Sequence, residues 1–555
     1  MLNFALHSLA NLNHPLIWPI NKCLIFLEKW YARTYYRLVR FDIFMNKTDA
    51  LLILIKSLSK AEKRYFRLWS DLQSGDKTYI ALFDLFDALD TLQEIVSQFK
   101  INQESKSFEM ASKYLYKVLL DCLVKLREKQ DVQTAIYNKI AKAGILFERD
   151  LFENAIDELH IAERLASDYE NDLLLHLIRR TELRYLSALD FEGLSERKLV
   201  NKQMKISESI KYTRSINQHI QLYYILKHRL IYKGYVRSDK QREAMNDLVL
   251  SELHLIANSS YRGFEAQKLH LLFQATYYLN SGNHKLAIRY YHNLITLFTK
   301  NMHLMQNPPV YYFSAIRGIL DSLLVAGLNQ EIPFFLFKLD EMANQHEGST
   351  EFLLNVKATR YYYEFSRLIN SGEFDAVKRL KESAEESLFR KSNLLRLEDQ
   401  LKLHLSMVIL YISTNEYQLA RKSMKNILGS GKLFYALPSY KITRLINLIL
   451  QAELGNYDFF EHEIKSIKRN IRYEKQVYGV EKLVFRFVQD YPLPTYEKNR
   501  LKLWRQYRKD IATIRQSKYE RQLLKTFDFI AWIESKLKRK PFQEILIENM
   551  NKSTK

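Results

Sequence analysis

Apolar residues along most of this chain recur at three- and four-residue intervals in paired runs, the spacing that places them on one face of a helix. Between the two members of each pair stands a residue that tolerates left-handed backbone geometry. Asp239, Gly282, Gly327, Gly372, Asn415 and Gly455 follow one another at intervals of 43, 45, 45, 43 and 40 residues. A helix that ends on Gly or Asn in that geometry can turn sharply into a second helix. The pattern therefore predicts a repeating unit of helix, tight turn and helix.

The clearest copy runs from Leu271 to Leu294, where Ala275 and Tyr278 precede Gly282 and Ala287, Tyr291 and Leu294 follow it. Around Asn415 the offsets are the same, with Val408 and Tyr411 before the turn and Ala420, Met424 and Ile427 after it. A small residue at the crossing point lets two helix backbones approach, and a larger one a turn later fills the groove between them. Ala287, Ala376 and Ala420 hold the small place, while Ile332 and Phe460 replace it elsewhere, which predicts wider crossings there. A weaker copy occupies 141–165, built on Ala143, Leu146, Ala155 and Ala162, and Ala244 keeps the same count.

On these residues the chain resembles the tetratricopeptide repeat superfamily, whose order of small residue, Tyr, turn Gly, small residue and aromatic is matched by Ala275, Tyr278, Gly282, Ala287 and Tyr291, with Leu294 closing the unit. The likeness spans roughly 131–470. It implies an all-α fold, a right-handed superhelical solenoid of stacked antiparallel helix pairs with helical N- and C-terminal caps. The repeat of about 44 residues exceeds the family's 34. The family's early Trp is absent and its closing Pro is missing from most copies, so longer helices per unit are expected.

Composition agrees with helices. Only 14 Gly and 9 Pro occur in 555 residues, too few for many hairpins or glycine-rich loops. Two isolated cysteines, Cys23 and Cys122, make neither a disulfide framework nor a thiolate metal site, which points to a reducing, cytoplasmic setting. The fourteen histidines lack metal-ligand spacing: His462-Glu463 has no second His four residues on. No phosphate-cradling glycine loop, dinucleotide fingerprint or nucleophile elbow is present, so neither a cofactor nor a catalytic site is expected. Carboxylate-only chemistry leaves no such spacing to read.

The flanks differ from the repeats. Residues 1–44 are uncharged as far as Asn21, yet Asn3, His7, Asn11, Pro15 and Pro19 break the apolar run too often for a membrane span, and no basic start marks a secretory signal. We expect translation to begin at Met45, with 1–44 an upstream extension. Residues 45–130 read as a helical cap, with a capping box at Ser59-Lys60-Ala61-Glu62, a loop around Gly75, and helices at 76–99 and 108–127. Repeats are expected over 131–490. After Tyr491-Pro492-Leu493-Pro494, a basic helix pair at 496–514 and 518–537 fills most of 491–540, and 541–555 reads as a mobile polar tail.

Charge adds a second theme. Lys and Arg total 84 against 63 Asp and Glu, a formal net charge of +21. Residues 498–540 carry fourteen of the cations and four acids, a net +10. Lys498, Lys502, Arg505 and Lys509 fall on one narrow helical stripe opposite Leu501, Trp504, Ile511 and Ile514. Such a stripe either contacts a nucleic acid or other polyanion or is the solvated outer face of a capping helix. Aromatic runs such as Tyr361-Tyr362-Tyr363, Tyr277-Tyr278 and Tyr290-Tyr291 sit at packing positions of the repeats and are expected in the core.

By the family resemblance, the first helix of each unit lines a groove. In the unit around Asn415 that helix is apolar, at Leu405, Ile409 and Ile412, a surface suited to an amphipathic helix of a partner. The expectation is a non-catalytic protein-protein interaction scaffold that binds a protein or peptide. The alternative is nucleic-acid or polyanion binding through the basic C-terminal helices.

Overall fold

The computed structural model describes residues 47–553 apart from 72–77, 103–106, 128–130, 234–235, 237, 259–262, 306–308, 346–349, 430–433, 436 and 473–478. The expected extension 1–44, the start at Met45 and the loop around Gly75 lie outside the described residues. Within them the protein is all-α, with no strand and with consecutive helices packed on one another. The chain divides into two compact units, Met1–Leu126 and Arg127–Lys555.

In the first unit, α1 (Lys47–Ser57), α2 (Lys60–Asp71), α3 (Thr78–Ala88), α4 (Leu92–Asn102) and α5 (Phe108–Arg127) enclose Leu51, Phe66, Phe83, Phe86, Phe99 and Leu119. The capping box is formed: Glu62 N–H donates to Ser59 Oγ at 3.2 Å, and Ser59 N–H donates to Glu62 Oε2 at 2.8 Å. The single helix expected over 76–99 is instead broken at 89–91. Thr91 caps the second half by accepting from Glu94 N–H, a weaker Thr-x-x-Glu signal of the same kind.

The second unit opens with α6 (Val132–Phe147), α7 (Phe152–Asp168), α8 (Asp172–Ala188) and the 38-residue α9 (Glu196–Lys233). Short α10 (Asp239–Glu243) and α11 (Asn246–Asn258) follow. Five hairpins come next: α12 (Phe264–Asn280) with α13 (His284–Lys300), α14 (Val310–Ala326) with α15 (Ile332–Gln345), α16 (Thr350–Asn370) with α17 (Phe374–Ala384), α18 (Leu397–Ser413) with α19 (Tyr417–Gly429), and α20 (Pro438–Glu453) with α21 (Phe459–Arg472). The chain ends in α22 (Gly479–Gln489), α23 (Glu497–Gln516), α24 (Arg521–Leu524), α25 (Phe529–Lys538) and α26 (Phe542–Ser553).

Each of the five hairpins bends at its expected residue. Gly282, Gly327, Gly372, Asn415 and Gly455 all have φ between 61° and 79°. At every one, the following N–H closes a six-residue turn onto the helix just ended, as in Asn283 to Tyr278 O (3.0 Å) and Glu416 to Tyr411 O (2.7 Å). The same turn recurs earlier with acidic residues in the left-handed place, at Asp150, Glu170 and Asp190. Asp239 departs from the series. It begins α10 behind the Ser238 cap, and no hairpin turns there.

The crossing residues pack as their sizes require. Ala275, Ala287 and Ala420 are fully buried, and Ile332 and Phe460 are buried at the equivalent place, whereas Ala376 is half-buried. Tyr291 lies against Gly318 of α14 so closely that a methyl group on residue 318 would occupy the space of the tyrosine ring. Tyr277, Tyr361 and Tyr363 are buried, and half-buried Tyr278 stacks on Tyr290 with centroids 5.4 Å apart.

Beyond Pro494 the fold differs from the expected helix pair and mobile tail. The stretch 518–537 holds two short helices, and 542–553 is helical, with Ile545 and Leu546 buried. This segment returns along the array. Tyr519 donates to Asp239 (2.8 Å), Lys525 to Asp321 (3.1 Å), Trp532 to Glu453 (2.7 Å) and Gln543 to the Gly372 carbonyl (2.6 Å).

A filled hollow and an open acidic cleft

Leu405, Ile409 and Ile412 project from α18 into the core and do not line an open groove. All three are buried in one cluster with Phe527, Phe529 and Ile530 of the C-terminal segment. Between Leu405, Ile409 and Thr526 only about 10 Å³ of space is left, barely one water. An apolar helix face on an array must be covered, and here the chain covers it with its own end.

Ions fasten that closure. Lys525 of the covering segment pairs with Asp321 at 3.1 Å, and Asp321 also feels Arg317, which joins α14 to α18 by pairing with Asp399 at 2.7 Å. The Lys525, Lys402 and Arg317 charges outweigh burial and hold Asp321 down at about 2. His284 lies nearby with neither ring nitrogen hydrogen-bonded among the described residues, and burial, then Lys525 and Arg521, push it down to about 4.

An open cleft of about 470 Å³ lies instead at the start of the second unit. Five stretches meet there: the start of α6, the α7–α8 bend, the middle of α9, the start of α12 and residues 303–305. The local sequence explains each placement. Asp131 caps α6 by accepting from Thr134 N–H at 3.0 Å, and Asn171 caps α8 through Leu174 N–H at 3.1 Å. Glu170, in the left-handed bend, reaches 94 residues along the chain to accept from Phe264 N–H at 2.6 Å.

Asp131, Glu170, Asp172 and Glu265 line the cleft, and among the described residues no Lys or Arg lines it. Three helix N-termini lie under these carboxylates and offset roughly half an elementary charge each, so the described lining stays negative. Burial raises the Asp172 carboxyl above its ordinary range, and the neighbouring Glu170 charge adds to the shift. Ile136 and Phe264 are buried beneath Val132, Ile216, Ile220, Leu304 and Met305, which form an apolar floor. Leu173 stands 64% exposed at the rim beside the Tyr169 ring, which meets His303 edge-on.

The predicted basic stripe is a real surface. Lys498, Lys502, Arg505 and Lys509 are exposed along α23, while Tyr507, Ile511 and Ile514 are buried and Trp504 is half-buried. Leu501, expected on the inward side, is 48% exposed beside the stripe. The cleft was not anticipated, although Tyr169-Glu170-Asn171-Asp172 is an acidic bend of the kind that could have been read. Among the described residues, no three His, Cys, Asp or Glu side chains converge as a metal site requires, and no helix is long and apolar enough to cross a membrane.

No family model, curated protein or solved structure matches this chain. The packed neighbouring helix pairs are compatible with a helical repeat.

Proposed function

We propose that this protein is a non-catalytic interaction scaffold whose open cleft receives a short basic, amphipathic segment of a partner protein. One observation carries the reading: four carboxylates, and no Lys or Arg among the described lining residues, surround an apolar floor, in a chain of net charge +21. At physiological salt the distant positive charge is screened beyond about 8 Å, so the cleft's own sign governs a ligand seated in it. Leucines of the segment would cover the floor while its lysines meet Asp131, Asp172 and Glu265. In this reading the hairpins form a tetratricopeptide-like solenoid that serves as a rigid frame. The cytoplasm suits Cys122, a buried free thiol that burial pushes up to about 11 and so keeps unreactive.

Fluorescence anisotropy with a labelled fourteen-residue Lys/Leu amphipathic peptide tests this, with the Glu/Leu peptide of the same pattern as control. The basic peptide should bind and the acidic one should not. Joint Asp172→Asn and Glu265→Gln substitutions should weaken binding roughly tenfold, about 1.4 kcal/mol, measured below the melting temperature of the variant, which loses the Glu265 partner of buried Lys268. Equal binding of both peptides, or no loss in the double variant, would sink the proposal.

A further inference from the structure

The cations at the C-terminal end divide into two classes. Arg500, Arg515, Lys525, Lys536 and Lys540 are held by backbone carbonyls or carboxylates of the protein itself. Five others, Lys498, Lys502, Arg505, Arg508 and Lys509, all lie exposed on α23 and have no acidic partner among the described residues. Asp510, the acid nearest this surface at its far end, is taken by Arg486 at 2.7 Å. Folding thus uses most of the local positive charge and leaves one helix face unanswered.

We infer that this face of α23 binds the phosphate backbone of a nucleic-acid duplex, independently of base sequence. Lys498 to Lys509 spans eleven residues, about 16 Å of helix at about 1.5 Å per residue. One strand of a duplex presents a phosphate about every 3.4 Å along its axis, so the same length offers about five phosphates to five cations. The face is convex, and its cations are long and flexible, which suits contact with a backbone and not readout of base edges. A single strand would call for a groove with stacked aromatic rings, but Tyr496, at the helix start, is the one largely exposed aromatic there. An anionic membrane would call for a broad apolar face lying in the interface, and on α23 that face is turned inward at Tyr507, Ile511 and Ile514, leaving only Leu501 outside.

The test uses the full chain and two labelled 20-base-pair duplexes of unrelated sequence, titrated in anisotropy from 0.05 to 0.3 M KCl. Both duplexes should bind equally, with log K falling against log salt at a slope of about −4.5 for five phosphates. The triple variant Lys502→Glu, Arg505→Glu, Lys509→Glu should lose roughly thirtyfold or more in affinity at 0.1 M KCl and show a flatter slope. Because those side chains are exposed, its melting temperature should not move. A matched control, Arg421→Glu, Lys422→Glu, Lys425→Glu, makes the same change in net charge on exposed residues of α19 and should retain near-parental affinity. The inference fails if no duplex binds or if the two triple variants weaken binding alike. It also fails if vesicles containing phosphatidylserine, or polyglutamate, bind as tightly as DNA with the same dependence on α23.

Discussion

Two hollows in the second unit are lined by similar aliphatic side chains and end in opposite states. Beside α16 and α18, Leu405 and Ile409 meet Thr526 and the aromatic core of the C-terminal segment, and nothing larger than a water fits between them. At the start of α6, α8 and α12, the floor of Ile216, Ile220 and Phe264 lies under about 470 Å³ of space. The difference is in the charges around each floor. Beside the closed hollow, Asp321 and Glu453 meet Lys525 and Lys536 of the returning segment. Around the open cleft, Glu265 alone among the four carboxylates forms an ion pair within the described residues, with Lys268 at 2.6 Å. The protein seals the apolar surface for which it has its own matching segment and leaves open the one for which it has none.

That contrast can be broken most directly at Trp532, which is 2% exposed, donates to Glu453 and stacks on Tyr491. Trp532→Ala should cost about 4 kcal/mol, as large-to-small substitutions of buried aromatics do. A urea-denaturation midpoint close to the parent's would mean the C-terminal segment is not integral to the closed hollow.

A slightly smaller effect is expected from pH. Unfolded, His284 titrates near 6.5, and folded, at about 4. The unfolded chain therefore binds the extra proton in that window, and stability falls as pH drops from 6.5 to 4, by up to about 3 kcal/mol. Asp321, held down at about 2, gives up its contribution only below its unfolded value of 3.8. The melting temperature of the parent should fall relative to that of His284→Leu as pH drops from 6.5 to 4. Parallel curves would place the histidine outside the charged closure.

The smallest test compares two bends. At Gly372 a Cβ would lie 3.1 Å from Ile547 Cγ1 and 3.3 Å from Gln543 Cγ, whereas at Gly327 nothing stands within 4 Å. Both have positive φ, so Ala costs about 1 kcal/mol at either through backbone strain. Gly372→Ala should cost about 1 kcal/mol more, for the contact with the covering helix. Equal losses would show that α26 yields freely.

The hairpin bends were legible because a left-handed Gly or Asn is a local requirement of the backbone. The acidic bends at Asp150, Glu170 and Asp190 use the same geometry but fall outside the 40–45-residue interval, and Glu170 is of a type that seldom adopts it, so they passed unread. Asp239 was misplaced for the converse reason: a turn-tolerant residue recurred at the right interval but was used to hold Tyr519. The cleft was hidden because its walls come from stretches up to 174 residues apart, from Asp131 to Met305, each of which reads alone as an ordinary helix start.

What the residues determined by themselves is the run of helices, most of their bends, the buried tyrosines and the exposed basic stripe, since each depends on neighbours within a turn or two. Only the tertiary structure decided which apolar face stays open. That choice rests on pairings such as Lys518 with Asp239, 279 positions apart, and periodicity along a chain holds no record of which distant segment will come back to cover it.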